Sequence, residues 1–236
     1  MTCELLAVCL EASRPQRVAQ FWAGVLGREV VEHAGGVLVP GTDTQVGLRF
    51  VPSRTEKVGQ NRVHLHLTSD SLADQQQTVE AALQLGARHI DVGQRPEEGH
   101  IVLADPEGNE FCVIEPGNKF LDGCGFLGEI ACHGTREVGL FWSAALDWPL
   151  VWDRNQQTAI QSPQGGTKVA WGGQPPAPER LQNRQRFDLV PPAHGDLSSE
   201  VDRLVSLGAT RLDTGGDGTV TLADPDGNRF CVLPPR

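Results

Sequence analysis

Tyrosine is absent from the sequence, positive charge is in short supply, and no apolar run is long enough to cross a bilayer. The missing tyrosine excludes nothing. The charge balance does: 20 Lys and Arg stand against 30 Asp and Glu, for a net charge of −10. A chain this acidic, with no local basic patch, repels a phosphate backbone and an anionic membrane, so neither nucleic acid nor membrane is expected as a partner. Without a long apolar run no membrane-spanning helix is expected. Glu4 stands where a signal peptide would carry positive charge, so MTCELLAVCL reads as a first strand and a cytoplasmic location is expected. The six cysteines (Cys3, Cys9, Cys112, Cys124, Cys132 and Cys231) form no CxxC pair and no dense framework. They read as reduced thiols.

What the sequence does contain is a repeat. LADPEGNEFCVI (103–114) and LADPDGNRFCVL (222–233) share nine of twelve residues. VAQFWAGVLGREVV (18–31) matches VGLFWSAALDWPLV (138–151), NRVHLHL (61–67) matches NRQRFDL (183–189), and LGARHID (85–91) matches LGATRLD (207–213). Two tandem domains follow, 1–117 and 126–236. The linker 118–125 lies in EPGNKFLDGCG, whose Gly, Asn and Asp resist regular structure.

Each half contains a weaker internal echo. Val18, Phe21, Trp22 and Val25 recur at helical spacing, with Pro15 in the first turn and Gly27 past the end. Leu72, Val79, Ala82 and Leu83 give a second stripe, closed by Gly86. Segments such as RVHLHLT alternate with the period of a two-faced strand. The order is β-α-β-β-β, four times over. Asp105-Pro106-Glu107-Gly108 suits a turn at a hairpin tip, a structural role that needs no catalysis. Trp22 and Trp142 fall on helix faces and read as core.

Four such units, with FWxxxLG, NRxHLxL and LADPxGNxFCV in this order, resemble the vicinal oxygen chelate superfamily, most of all its glyoxalase-like and bleomycin-resistance-like branch. The resemblance implies an α+β fold in which the four units form two cupped, mainly antiparallel mixed sheets with helices on the convex face. It also implies where a metal would sit. The first-strand position, fourteen residues before Phe21, is Ala7. The other two are His64 and, three after Asn109, Cys112. In the second half the same count gives Leu127, Arg186 and Cys231. Alanine and leucine have no lone pair to offer, so neither metal nor any other cofactor is expected.

Strand period then assigns the cup linings. Val63, Leu65 and Leu67 pack under a helix, and His64 and His66 turn inward. Leu6, Val8 and Leu10 pack, leaving Leu5, Ala7, Cys9 and Glu11 inside. If each cup lies within its own half, the first gathers Glu11, Arg49, His64, His66 and Cys112. The second gathers Glu129, Trp171, Arg186, Asp188 and Cys231. Exchange of units between halves stays open. The reading that follows is a small-molecule binder, of the sequestering or antibiotic-binding type, acting without metal as a monomer or homodimer. Its acidic charge would favour neutral or cationic ligands. Two alternatives are a metal-independent isomerase or lyase moving protons with His64 and Glu11, and a displaced metal site of Glu11, His64 and His66.

Overall fold

The computed structural model describes residues 2–33, 35–95, 97–173, 184–192 and 195–234; Asn183, which opens NRQRFDL, lies outside them. Its elements repeat one order four times. The first unit is β1 (Glu4–Ala12), α1 (Pro15–Leu26), β2 (Val31–His33), β3 (Gly36–Val39) and β4 (Gly47–Pro52). The second is β5 (Val63–Leu67), α2 (Leu72–Gln84), β6 (Arg88–His89), β7 (Ile101–Ala104) and β8 (Glu110–Val113). The third is β9 (Leu127–His133), α3 (Arg136–Leu146), β10 (Leu150–Arg154), β11 (Gln157–Gln161) and β12 (Lys168–Gly172). The fourth is β13 (Gln185–Val190), α4 (Leu197–Ser206), β14 (Thr210–Thr214), β15 (Val220–Ala223) and β16 (Arg229–Val232).

These strands form two mixed eight-stranded sheets, and neither belongs to one half of the chain. The first runs β14-β15-β16-β13-β1-β4-β3-β2 and joins unit one to unit four. The second runs β10-β11-β12-β9-β5-β8-β7-β6 and joins unit two to unit three. The antiparallel pairs β1–β13 and β5–β9 are the seams. The grouping of cup residues by halves is therefore corrected: exchange is the observed assembly.

Local signals place the helices. Pro15 occupies the first turn of α1, where its missing N–H costs nothing, and Gly27 ends the helix at φ 63°. Thr135 caps α3, its hydroxyl accepting from Val138 N. The α2 stripe needs one correction. Leu72 is exposed at the helix start, while Gln75 is buried and donates to Gly99 O (2.9 Å) and Val113 O (3.0 Å). In β1, Leu5 rather than Leu6 packs on the core, because the register shifts between Leu5 and Ala7 and reverses the alternation there. Among the described residues, no helix is long and apolar enough to cross a membrane.

The twice-written phrase is what binds the two sheets together. α1 packs on β3 and β4 of the first sheet. Its Trp22 nevertheless lies edge-on to Phe111 of β8, in the second sheet, with centroids 5.0 Å apart. Trp22 Nε1 donates to Asp105 Oδ2 at 3.0 Å, at the tip of the β7–β8 hairpin. That fully buried carboxylate also accepts from the backbone N–H groups of Glu107 (2.8 Å) and Asn109 (2.9 Å) and from Asn109 Nδ2 (2.9 Å). The second half repeats this: Trp142 Nε1 donates to Asp224 Oδ2 at 3.2 Å, beside Phe230 and Phe187. Burial holds both carboxyls above the usual range, against the opposing pull of the surrounding donors. The acid two residues on grips the strand–helix junction of the preceding unit, Glu107 accepting from Ser13 and Asp226 from Thr135.

Asp105→Ala strips three buried N–H donors of their acceptor. At about 1–3 kcal/mol for each unsatisfied buried group, the unfolding free energy from urea titration should fall by roughly 3 kcal/mol or more. A loss comparable to a surface substitution would show that the clamp holds nothing.

Candidate functional site

The sheet register makes the two cups directly comparable. Across the first seam Ala7 faces Asp188 and Cys9 faces Arg186; across the second Glu129 faces His66 and Ala131 faces His64. Glu129 therefore occupies the place of Ala7, and Ala131 that of Cys9. This corrects the count from the Phe-Trp pair, which put Leu127 at the place of Ala7. The third unit has two residues fewer between the matched strand position and its Phe-Trp pair. An even slip preserves the strand face, so Glu129 still turns inward.

In the first cup, charged side chains fill the hollow. Arg49 Nη1 donates to Asp188 Oδ2 at 2.6 Å, Arg186 Nε lies 3.3 Å from Asp188 Oδ1, and Arg186 Nη1 lies 3.6 Å from Glu11 Oε1. Asp188 and Cys9 are wholly buried, and Cys231 beside them is nearly so. Burial pushes both thiols upward, and the buried carboxylate adds to the effect. All six cysteines are free.

The second cup is open. A cavity of about 480 Å³ lies on its concave face. Its floor is small: Ala131 on β9 with Ala170 and Gly172 on β12. Ala170 holds the register position that Arg49 holds in the first cup, each facing its central strand at the matched residue. His64, His66, Glu129 and His133 supply the polar wall, and Phe120 and Trp152 the aromatic one, with rings 5.8 Å apart and nearly perpendicular. Arg154 sits 5.2 Å over the Trp152 ring and Lys168 4.7 Å over Phe120.

His66 Nδ1 donates to Glu129 Oε2 at 2.7 Å. Burial disfavours its charge, but the hydrogen bonds to Cys112 and Glu129 and the negative charge of Glu129 prevail and raise its pKa to about 10. His64 behaves oppositely. Burial lowers it, and the neighbouring His133 and His66 add to this against the pull of Asn61 and Glu110. Its Nε2 lies 2.7 Å from Asn61 O. A carbonyl only accepts, so Nε2 carries the proton and the neutral ring keeps a lone pair on Nδ1. His133, whose ring lies 5.7 Å from that of His64, is lowered by burial and by the charge of Arg62.

Several expectations change. Glu11 and Arg49 line the first sheet, so neither joins His64 and His66. The Glu11–His64 proton-transfer pair and the Glu11–His64–His66 metal site are both withdrawn. Arg186, Asp188 and Cys231 share the first cup with them, whereas Glu129 belongs with the histidines. Trp171 borders the open cavity, while its ring lies with Val169 on the buried face of β12 and stacks on Trp142 at 6.5 Å. Cys112 lies beside His66 but is covered by Leu121 of the linker. Phe120, His133 and Trp152 were missed. The alternation Glu129, Ala131, His133 carried the signal for His133; nothing local marked Phe120.

The metal positions implied by the fold are Ala7, Arg186 and Cys231 in the first cup: a methyl group, a cation and a thiol. In the second, Glu129 brings an oxygen donor, but it is engaged by His66, and the third position is a covered thiol. Among the described residues no group of three or more His, Cys, Asp or Glu side chains is placed to hold a metal ion. The donor sets do not fit one.

Paired cups of exchanged β-α-β-β-β units define the class of protein. Glyoxalase I from Zea mays shares the fold at TM-score 0.67 and 13% identity, over 99% of this chain and 92% of that one. A Bacillus subtilis protein described as a dioxygenase matches at TM-score 0.62 and 12% identity, over 99% of this chain and 85% of that one. No curated protein matches the sequence. The glyoxalase-like domain family matches residues 7–114 and 129–233, and the chain belongs to it.

The His66–Glu129 pair predicts a pH dependence. With its pKa raised from 6.5 to about 10, His66 contributes stability that is fully present below pH 6.5 and lost as pH rises through 10. Glu129→Gln should move the His66 titration, followed by ring-proton NMR, back toward neutrality. It should also flatten the fall of unfolding free energy across that window relative to the parent. Identical titrations in both proteins would show that the two side chains are not coupled.

Proposed function

We propose that the second cup binds a small, partly apolar organic molecule with a flat face, and does so without a metal. The observation that carries this reading is the contrast between the cups: Arg49, Arg186 and Asp188 close one, while Ala170, Ala131 and Gly172 leave the other hollow. A cavity of this size, with an apolar floor, aromatic walls and a few convergent polar groups, has the composition of a ligand pocket. Trp152 and Phe120 offer ring faces and edges to an aromatic guest. His64 Nδ1 offers a hydrogen-bond acceptor, which favours a guest carrying an O–H or N–H group.

The test is a thermal-shift screen against aromatic natural products. A true ligand at a hundred times its Kd adds about 2.7 kcal/mol, which raises the Tm by roughly 5–10 °C for a chain of this size. Ala170→Arg, which places in the open cup the side chain found in the closed one, should abolish that shift. A ligand that stabilises parent and variant equally binds elsewhere.

A second reading is favoured by the ionisation of His64. A neutral imidazole with its lone pair toward the cavity is a general base at neutral pH. With a guest that carries an acidic C–H, such a base supports isomerisation or elimination, and the protonated His66 held by Glu129 supplies nearby positive charge for the anion that forms. Glu11 takes no part. His64→Ala should abolish such turnover with little change in Tm, and an unaltered rate would remove the proton-transfer reading while leaving binding intact.

A further inference from the structure

We propose that the segment joining the two halves is a fixed end wall of the open cup, and that Phe120 and Leu121 set the length of guest it admits. The inference rests on the ligand-binding reading above. The concave face of the second sheet extends well beyond the cavity. From the seam it continues over β8, β7 and β6, where Cys112 pairs with His66 on one side and Val102 on the other. Left bare, this would be ligand-accessible floor. Instead Val102, Cys112 and Ile114 form a small apolar cluster with buried Leu121 of the linker, separate from the main core, and Ile90, Val92 and Phe120 pack against it. The linker thus covers the β7–β8 side of the cup. Phe120 belongs to both worlds, packing on this cluster and lining the cavity.

The segment is a wall because it is pinned from several elements. Lys168, from β12, donates to Phe120 O and lies over its ring. Gln45 Nε2, from the first unit, donates to Cys124 O at 2.8 Å, and its Oε1 accepts from Leu127 N at 2.8 Å. Thr68 Oγ1 donates to Gly125 O at 2.9 Å. Within the segment, Leu121 N donates to Asn118 O and Cys124 N to Leu121 O, both at 3.1 Å, so the chain coils tightly enough to drive Leu121 down. A flat guest lying on Ala131, Ala170 and Gly172 meets the Phe120 ring at one end. Its extent toward Cys112 is limited by that ring and by the leucine behind it.

The experiment uses hydroxylated aromatics of one to four fused rings, with affinity read by calorimetry on the full chain. The parent should show an optimum within the series and weaker binding of the longest member. Phe120→Ala combined with Leu121→Ala should move the optimum to a longer guest and strengthen the four-ring compound at least tenfold. Leu121 is buried, so Phe120→Trp gives an independent arm: the larger ring should move the optimum to a shorter guest in a protein that keeps its core. If the parent binds the series and neither variant changes the length preference, the wall assignment is wrong and the cup remains a binding site. If the parent binds no member of the series, the ligand class itself fails, and the wall assignment with it.

Discussion

Antiparallel pairing of β5 with β9, and of β1 with β13, is the constraint on which the molecule turns. Each pair joins the central strand of one half to the central strand of the other. Each fixes a register that no single half could supply. Because side chains alternate with period two, one ladder decides at once which groups meet inside a cup and which are consigned to the core. The second ladder sets Glu129 opposite His66 and Ala131 opposite His64. The first sets Ala7 opposite Asp188 and Cys9 opposite Arg186. All the electrostatics of the two hollows descend from those pairings.

Contacts within each half do a different job. The helix of the first unit reaches the hairpin of the second through Trp22, Phe111 and the buried Asp105; Trp142, Phe230 and Asp224 do the same in the other half. Sheets are thus built across the halves and tied together within them. The first cup shows what such a frame does when it is filled. Asp188 is taken wholly out of water and is tolerable there only because two guanidinium groups face it. The second cup spends its charge on one compact pair and leaves room beside it.

The fourfold order of elements was legible because each half carries its own punctuation: helical spacing around Phe-Trp in its first unit, a glycine or a capping residue at helix ends, and a turn phrase before the last strand of its second unit. The inward turn of His64 and His66 was equally legible from VHLHL, since alternation over five residues leaves little freedom. What could not be read was partnership. Strand period says that Glu11 and Glu129 face a hollow, but not whose hollow, and the pairing of remote strands placed each of them opposite the guess. Counting from the Phe-Trp pair slipped by two residues because a short deletion near the start of α3 leaves no compositional trace. Trp171 borders the second hollow as expected, but its ring is shared with the core, which Val169 beside it already signalled. Phe120 sits in a segment without periodicity, where only tertiary contact reveals what a side chain does.

Exchanged pairing within one chain has an evolutionary corollary. Were the same two sheets assembled from two copies of a half-length polypeptide, both hollows would be built from one gene segment, and every substitution would strike them together. Covalent fusion lifts that symmetry. An arginine can be fixed at one site and an alanine at its counterpart, so that one hollow can stiffen into scaffold while its twin is free to explore chemistry.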